Sequence, residues 1–214
     1  MNLKPKFFEK KEASSYRISY EEQNAPSYIG EKLVELLPHH TFQPVVITCI
    51  GTDRSTGDAL GPLIGTILNE KKTTHFHVYG TLENPIHAVN LEEQLKFINN
   101  THRNPFIIGI DACLGRLKSV GDVTLNVGAL KPGAGVNKQL PPVGEVHLTG
   151  IVNVSGFMEF FVLQNTRLNL VMKMAQAMAS GIIEADQLLK IRNTESPIQR
   201  RINWSASTEI KETR

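Results

Sequence analysis

VVITCIGTDRSTGDALGPLIG, residues 45–65, decides the fold. Apolar residues run without alternation from Val45 to Ile50, the mark of a strand buried on both faces, here expected over 44–51. A loop over 52–57 follows. Leu60, Ile64, Ile67 and Leu68 then recur at helical spacing, which predicts a helix over 58–71. Pro62 suits the first turn of such a helix, where its missing N–H costs nothing. Asp58 stands near the helix N-terminus, where the dipole favours the ionised carboxylate.

A second continuous apolar run lies in FIIGIDACLG, residues 106–115, and predicts a strand over 105–111 ending at Asp111. Between the two runs, Phe76, Val78 and Leu82 mark a shorter strand over 76–82. Asn90-Leu91-Glu92-Glu93 opens a helix to about residue 100 in the manner of a capping box. Strand, helix, strand, helix, strand argues a mostly parallel sheet with helices on both faces. Val123, Leu125 and Val127 alternate with Thr124 and Asn126, so 120–127 reads as a half-exposed antiparallel strand. A further strand is expected over 145–149. Helices are expected over 28–37, with Ile29, Leu33, Leu36 and Leu37 on one face, over 155–165, and over 167–189. The last carries Val171, Met174, Ala175, Met178 and Ile182 on one stripe, its methionines serving as core filler. The chain divides into a polar N-terminal arm (1–26), a single α/β domain (27–191) and a polar C-terminal tail (192–214).

Composition bounds the function. The chain has 214 residues, 41% hydrophobic and 21% charged, enough for one sizeable core. Its 23 Lys+Arg against 21 Asp+Glu leave a net charge of +2, which gives no general case for nucleic-acid binding. Two cysteines, Cys49 and Cys113, supply neither a disulfide framework nor a cysteine zinc site and read as buried thiols of a reducing cytoplasm. The N-terminal stretch lacks the apolar core of a signal peptide, and no segment reaches the length of a membrane span. A cytoplasmic protein is expected.

The candidate chemistry is carboxylate chemistry. Alone, Asp58 reads as a cap, and Asp111 as an acceptor for main-chain N–H groups beyond its strand. Together they weigh more, because parallel strands deliver their carboxyl ends to one edge, where open α/β sheets place ligands. Like charges brought together there share a proton, one acting as acid and the other as base on a water. Asp53 reads as loop-shaping and Arg54 as solvated. Cys113 reads as an inert thiol and His147 as a satisfied core imidazole. His147 has a second reading, as partner to Asp58 and Asp111 in a site for a divalent transition metal. The His39-His40 pair reads as a solvated turn. LKPGAGVNKQLPPVG, residues 130–144, is too long for a simple turn. It lacks the spacing of a phosphate-binding P-loop. Lys131, Gly133, Gly135 and Lys138 instead suit the wall of a cleft that grips the backbone of a bound chain.

GTDRSTGDALGPLIG, IGIDACLGR, LKPGAGVNKQLPPVGEV and TGIVNVSGF together resemble the YyaC-like spore proteases of spore-forming bacteria, small relatives of the spore germination protease. The resemblance covers about residues 45–183. More distantly, the pattern is similar to the hydrogenase maturation endopeptidases. It implies a three-layer α/β/α sandwich of the phosphorylase/hydrolase-like type. In the germination protease, the functional carboxylates are an Asp in a PDALGP segment and an Asp in a VDA segment; these fall on Asp58 and Asp111. In the maturation enzymes, an acid before A-I-G, an Asp in D-A and a later His bind nickel; these fall on Asp58, Asp111 and, in HLTGIVNV, His147. Gly57 stands where the germination protease has proline, and the chain lacks that enzyme's extra segments.

The resemblance implies an aspartate-dependent endopeptidase of the sporulating or germinating cell, in the forespore or spore core, needing no cofactor. Its substrate class would be protein or peptide, with small acid-soluble spore proteins as the example. Homo-oligomers are compatible with this reading. The alternatives are a metal-recognising peptidase of the maturation type and a catalytically inactive binding protein of the spore.

Overall fold

The computed structural model describes residues 15–38, 43–133 and 140–194. Among them, β1 (Ser15–Ser19), β2 (Val45–Cys49), β3 (Phe76–Tyr79), β4 (Phe106–Gly115), β5 (Asp122–Val127) and β6 (Val146–Val154) form one sheet. The strand order is β1-β5-β6-β4-β2-β3. The pairings β3–β2–β4–β6 are parallel, and β5 is antiparallel to both β6 and β1. The expected mostly parallel sheet with an antiparallel strand is therefore present, with helices on both faces.

α1 (Ala25–Leu36), α2 (Leu60–Lys71) and α5 (Leu168–Thr194) pack on one face. Ile47, Ile108, Ile110, Val123, Leu125 and Leu148 point down to meet Leu33, Ile64, Leu68, Met174 and Met178 from those helices. Each such large side chain, fully buried, contributes roughly 1.5–3 kcal/mol from removed apolar area. α3 (Leu91–Thr101) covers the other face over β2 and β4, joining Leu91 and Ile98 to Val46, Ile50 and Ile107. The β-bridge of Leu130 to Val143 closes onto the same cluster. On the β5–β6 half, the alternation that buries Val123, Leu125 and Leu148 sends Thr124, Asn126, His147 and Thr149 to this second face.

Several bounds differ from the sequence reading. Residues 15–19, placed in a polar arm, form edge strand β1, with Ile18 buried and Tyr16 packed against the core. β4 runs four residues past Asp111, and β6 extends to Val154 through Gly150. A Cβ at Gly150 would lie 2.5 Å from Leu60 Cδ2 and 2.9 Å from Met174 Cε, so the strand is continuous because the helices crowd it there. α4 (Glu159–Gln164) is shorter than the helix expected over 155–165. No helix of the described residues is long and apolar enough to cross a membrane.

The topology positions the site. From β2 the chain crosses through α2 to β3 on one side, then through α3 to β4 on the other. α2 and α3 consequently lie on opposite faces, and the carboxyl ends of β2 and β4 flank the point where strand order reverses. Open α/β sheets leave a crevice there.

Candidate active site

β2 and β4 pair from Val45↔Phe106 to Cys49↔Ile110, and the Ile50 N–H donates to the Ile110 carbonyl at 2.7 Å. Asp111 is thus the first β4 residue beyond the paired stretch, at the level where the β2 chain turns away. That turn requires glycine. Gly51 has φ +147°, and a Cβ there would overlap the Asp58 carbonyl. Gly61 brings the first turn of α2 against the Ile50 carbonyl, with no room for a side chain. The loop between is held at both ends: Thr52 N–H donates to the Asp58 carbonyl (3.2 Å), and Gly57 N–H donates to the Leu163 carbonyl of α4 (2.9 Å). The germination-protease proline at this position would have no N–H to give.

Within the loop the Ala59 N–H donates to the Ser55 carbonyl at 3.0 Å, closing one α-type turn. Residues three apart in such a turn share a face, so Ser55 and Asp58 look the same way. Burial lifts the Asp58 carboxyl above the usual carboxylate range, and the Ser55 hydroxyl tempers the rise. Ser55 is 5% exposed, and its Oγ closes no hydrogen bond of good geometry. Thr48 Oγ1, fully buried in β2, is also without a partner.

Asp111 is held higher still. Burial is the main cause; the Ala112 N–H, 2.8 Å from Oδ1, pulls the other way, and the Asp58 charge adds to the rise. The Asp58 carboxyl is thus near enough for its charge to be felt at Asp111. Burial is the larger cause at both carboxyls, and the Asp58 charge is a smaller addition at Asp111.

His147 lies further down. It pairs with Gly109, two residues before Asp111 on β4, and its Nδ1 is 2.8 Å from the Gly128 carbonyl. Among the described residues, no three His, Cys, Asp or Glu side chains are disposed to hold a metal ion. Asp58, Asp111 and His147 are not brought together as such a group. Burial pushes the Cys113 thiol up, with Thr149 opposing, so it is not poised as a thiolate. Cys49 is fully buried and burial pushes it up as well. Asp53 and Arg54 are exposed at the loop tip, where the Thr52 hydroxyl accepts from the Arg54 N–H. Lys131 is exposed, and Gly133 follows the Leu130–Val143 bridge. Gly135, Lys138 and the His39-His40 pair fall outside the described residues.

Ser55 is the site residue that reading the sequence missed. The available signal was its spacing to Asp58, S-x-x-D, which read as ordinary loop composition.

Fold and site together define a class: a three-layer α/β/α protein carrying two half-buried carboxyls at the switch point of its sheet. The chain belongs to the family described as "Protein of unknown function (DUF1256)", which matches residues 17–181. It is 50% identical over 200 residues to the Bacillus subtilis (strain 168) protein described as "Uncharacterized protein YyaC", covering 94% of this chain and 98% of that one. Among solved structures it is similar to the [NiFe] hydrogenase maturation protease HycI from Thermococcus kodakarensis KOD1. That match has 18% identity and a TM-score of 0.47, over 73% of this chain and 99% of the other.

Proposed function

We propose that this protein is an aspartate-dependent endopeptidase acting on proteins of the sporulating or germinating cell. The observation that carries the reading is the neighbouring pair of carboxyls, both raised, with Asp111 lifted further by the Asp58 charge. Asp58, tempered by Ser55, is the easier of the two to ionise and serves as base. Asp111 keeps the proton and serves as acid. Asp58 takes a proton from water as its oxygen bonds to the peptide carbonyl carbon. Asp111 gives its proton to the departing amine nitrogen as the C–N bond breaks. Proton exchange with solvent then resets the pair. General acid–base assistance of this kind is worth about 10²–10⁴-fold in rate. Lys131 and Gly133 border the cleft in this reading.

The test is cleavage of small acid-soluble spore proteins by the recombinant chain. Asp58→Asn and Asp111→Asn are each expected to abolish cutting while circular dichroism shows the fold intact. Undiminished cutting by the double variant ends the proposal. A chain that never cuts but forms a stable complex with a spore protein points to the inactive binding protein.

A further inference from the structure

Four large apolar side chains stand in the open beside the acid-bearing loop: Phe157 (91% exposed), Met158 (52%), Phe160 (49%) and Phe161 (53%). They lead into and form α4, the helix whose Leu163 carbonyl receives the Gly57 N–H. Phe160 and Phe161 meet edge to face, with centroids 5.7 Å apart. Taking roughly 200 Å² for each aromatic side chain, the four expose roughly 450 Å², the size of patch that is often functional on a monomer. A stable homodimer needs about 800 Å² from each partner. The patch alone falls well short of that and matches a short segment of another chain.

Charge narrows the partner. Ser155 N–H donates to the Gly115 carbonyl at 2.7 Å, so Arg116-Leu117-Lys118 leaves β4 alongside the start of the patch. All three are exposed, Leu117 at 80%. The acid within the patch, Glu159, turns back toward the Gly156 N–H at 3.4 Å. The surface is thus apolar with a basic margin.

We infer that α4 and the preceding turn form a docking surface for a substrate segment in which apolar side chains are interspersed with Asp or Glu. Apolar side chains pack against Phe157, Phe160 and Phe161, and the acidic ones meet Arg116 and Lys118. Docking there holds the chain next to the Asp58 loop. This rests on the peptidase reading for its purpose, but its test reads binding alone.

A fluorescent synthetic peptide of alternating leucine and glutamate is titrated with the full chain, against a twin with lysine in place of glutamate. The acidic peptide is expected to bind at least tenfold tighter than its twin. Phe157→Ser with Phe160→Ser weakens it at least tenfold, and Arg116→Glu with Lys118→Glu reverses the preference. Both pairs are exposed, and circular dichroism confirms their fold. Asp58→Asn with Asp111→Asn leaves binding unchanged, so failure of the catalytic reading is seen separately. Equal affinity for the two peptides, or indifference to the phenylalanine changes, overturns the inference. So does a dimer on gel filtration that Phe157→Ser dissolves, which assigns the patch to a second copy. Binding to phosphatidylglycerol vesicles in preference to the peptide overturns it in favour of a lipid surface.

Discussion

Asp186 and Asp111 are both carboxyls withdrawn from water, and the chain treats them in opposite ways. Asp186, on α5, is 9% exposed and accepts the Thr74 N–H (3.0 Å), the Thr74 hydroxyl (2.8 Å) and the His75 N–H (2.7 Å), with His75 Nδ1 at 3.1 Å. Burial works against its charge, but these donors outweigh it and hold the carboxyl below its usual value. It staples α5 to the turn before β3. Asp111 has the Ala112 N–H as its donor and a like-charged neighbour, and its carboxyl stays high. A carboxylate supplied with donors is structural; one left short of donors at a crevice is available for chemistry.

The largest effect is expected at Asp186. Asp186→Ala leaves the Thr74 and His75 amides without their acceptor and costs about 3 kcal/mol, read as a lowered urea midpoint. Its folded pKa lies below the unfolded one. Its stabilisation is therefore complete above the unfolded pKa and is lost as pH falls through the folded pKa. A variant as stable as the parent across that acid window would break the comparison.

The middle effect has the opposite sign. Asp111→Asn should stabilise by about 1 kcal/mol at neutral pH while removing activity, the trade-off seen where function costs stability. The folded pKa of Asp111 is raised, so the parent's stability is complete below the unfolded pKa and falls as pH rises through the folded pKa. The melting-temperature gain of the variant should therefore widen with pH. A gain that shrinks would mean that Asp111 is stabilised as an anion.

The smallest effect is at Ser55. Ser55→Ala removes the tempering hydroxyl, so Asp58 should titrate at higher pH and the acid limb of the activity profile should move up. Ser55→Thr should restore it. Carbon-13 NMR of the carboxyl reads the same shift without substrate.

The two acids of the proposed chemistry were legible in the sequence because topology carries them. Two unbroken apolar runs name β2 and β4, and the residues that follow each run arrive at one edge. The staple was not legible. Asp186 is one of two acids inside a 27-residue helix, and its donors lie 111 and 112 positions away along the chain. β1 hid because Tyr16 and Ile18 are its inward residues, set among Ser15, Arg17 and Ser19 in a stretch dominated by charge. β6 runs past the expected end at Thr149 through Gly150, where the helices beneath leave no room for a side chain.

The fastening of Gly57 to Leu163 has a mechanical consequence. Asp111 is carried by a central strand, bonded on both sides, while Asp58 hangs between the exit of β2 and α4. Any shift of α4 alters the spacing of the two acids through Asp58 alone, so that gap is the dimension of the proposed site that the surface helix can tune.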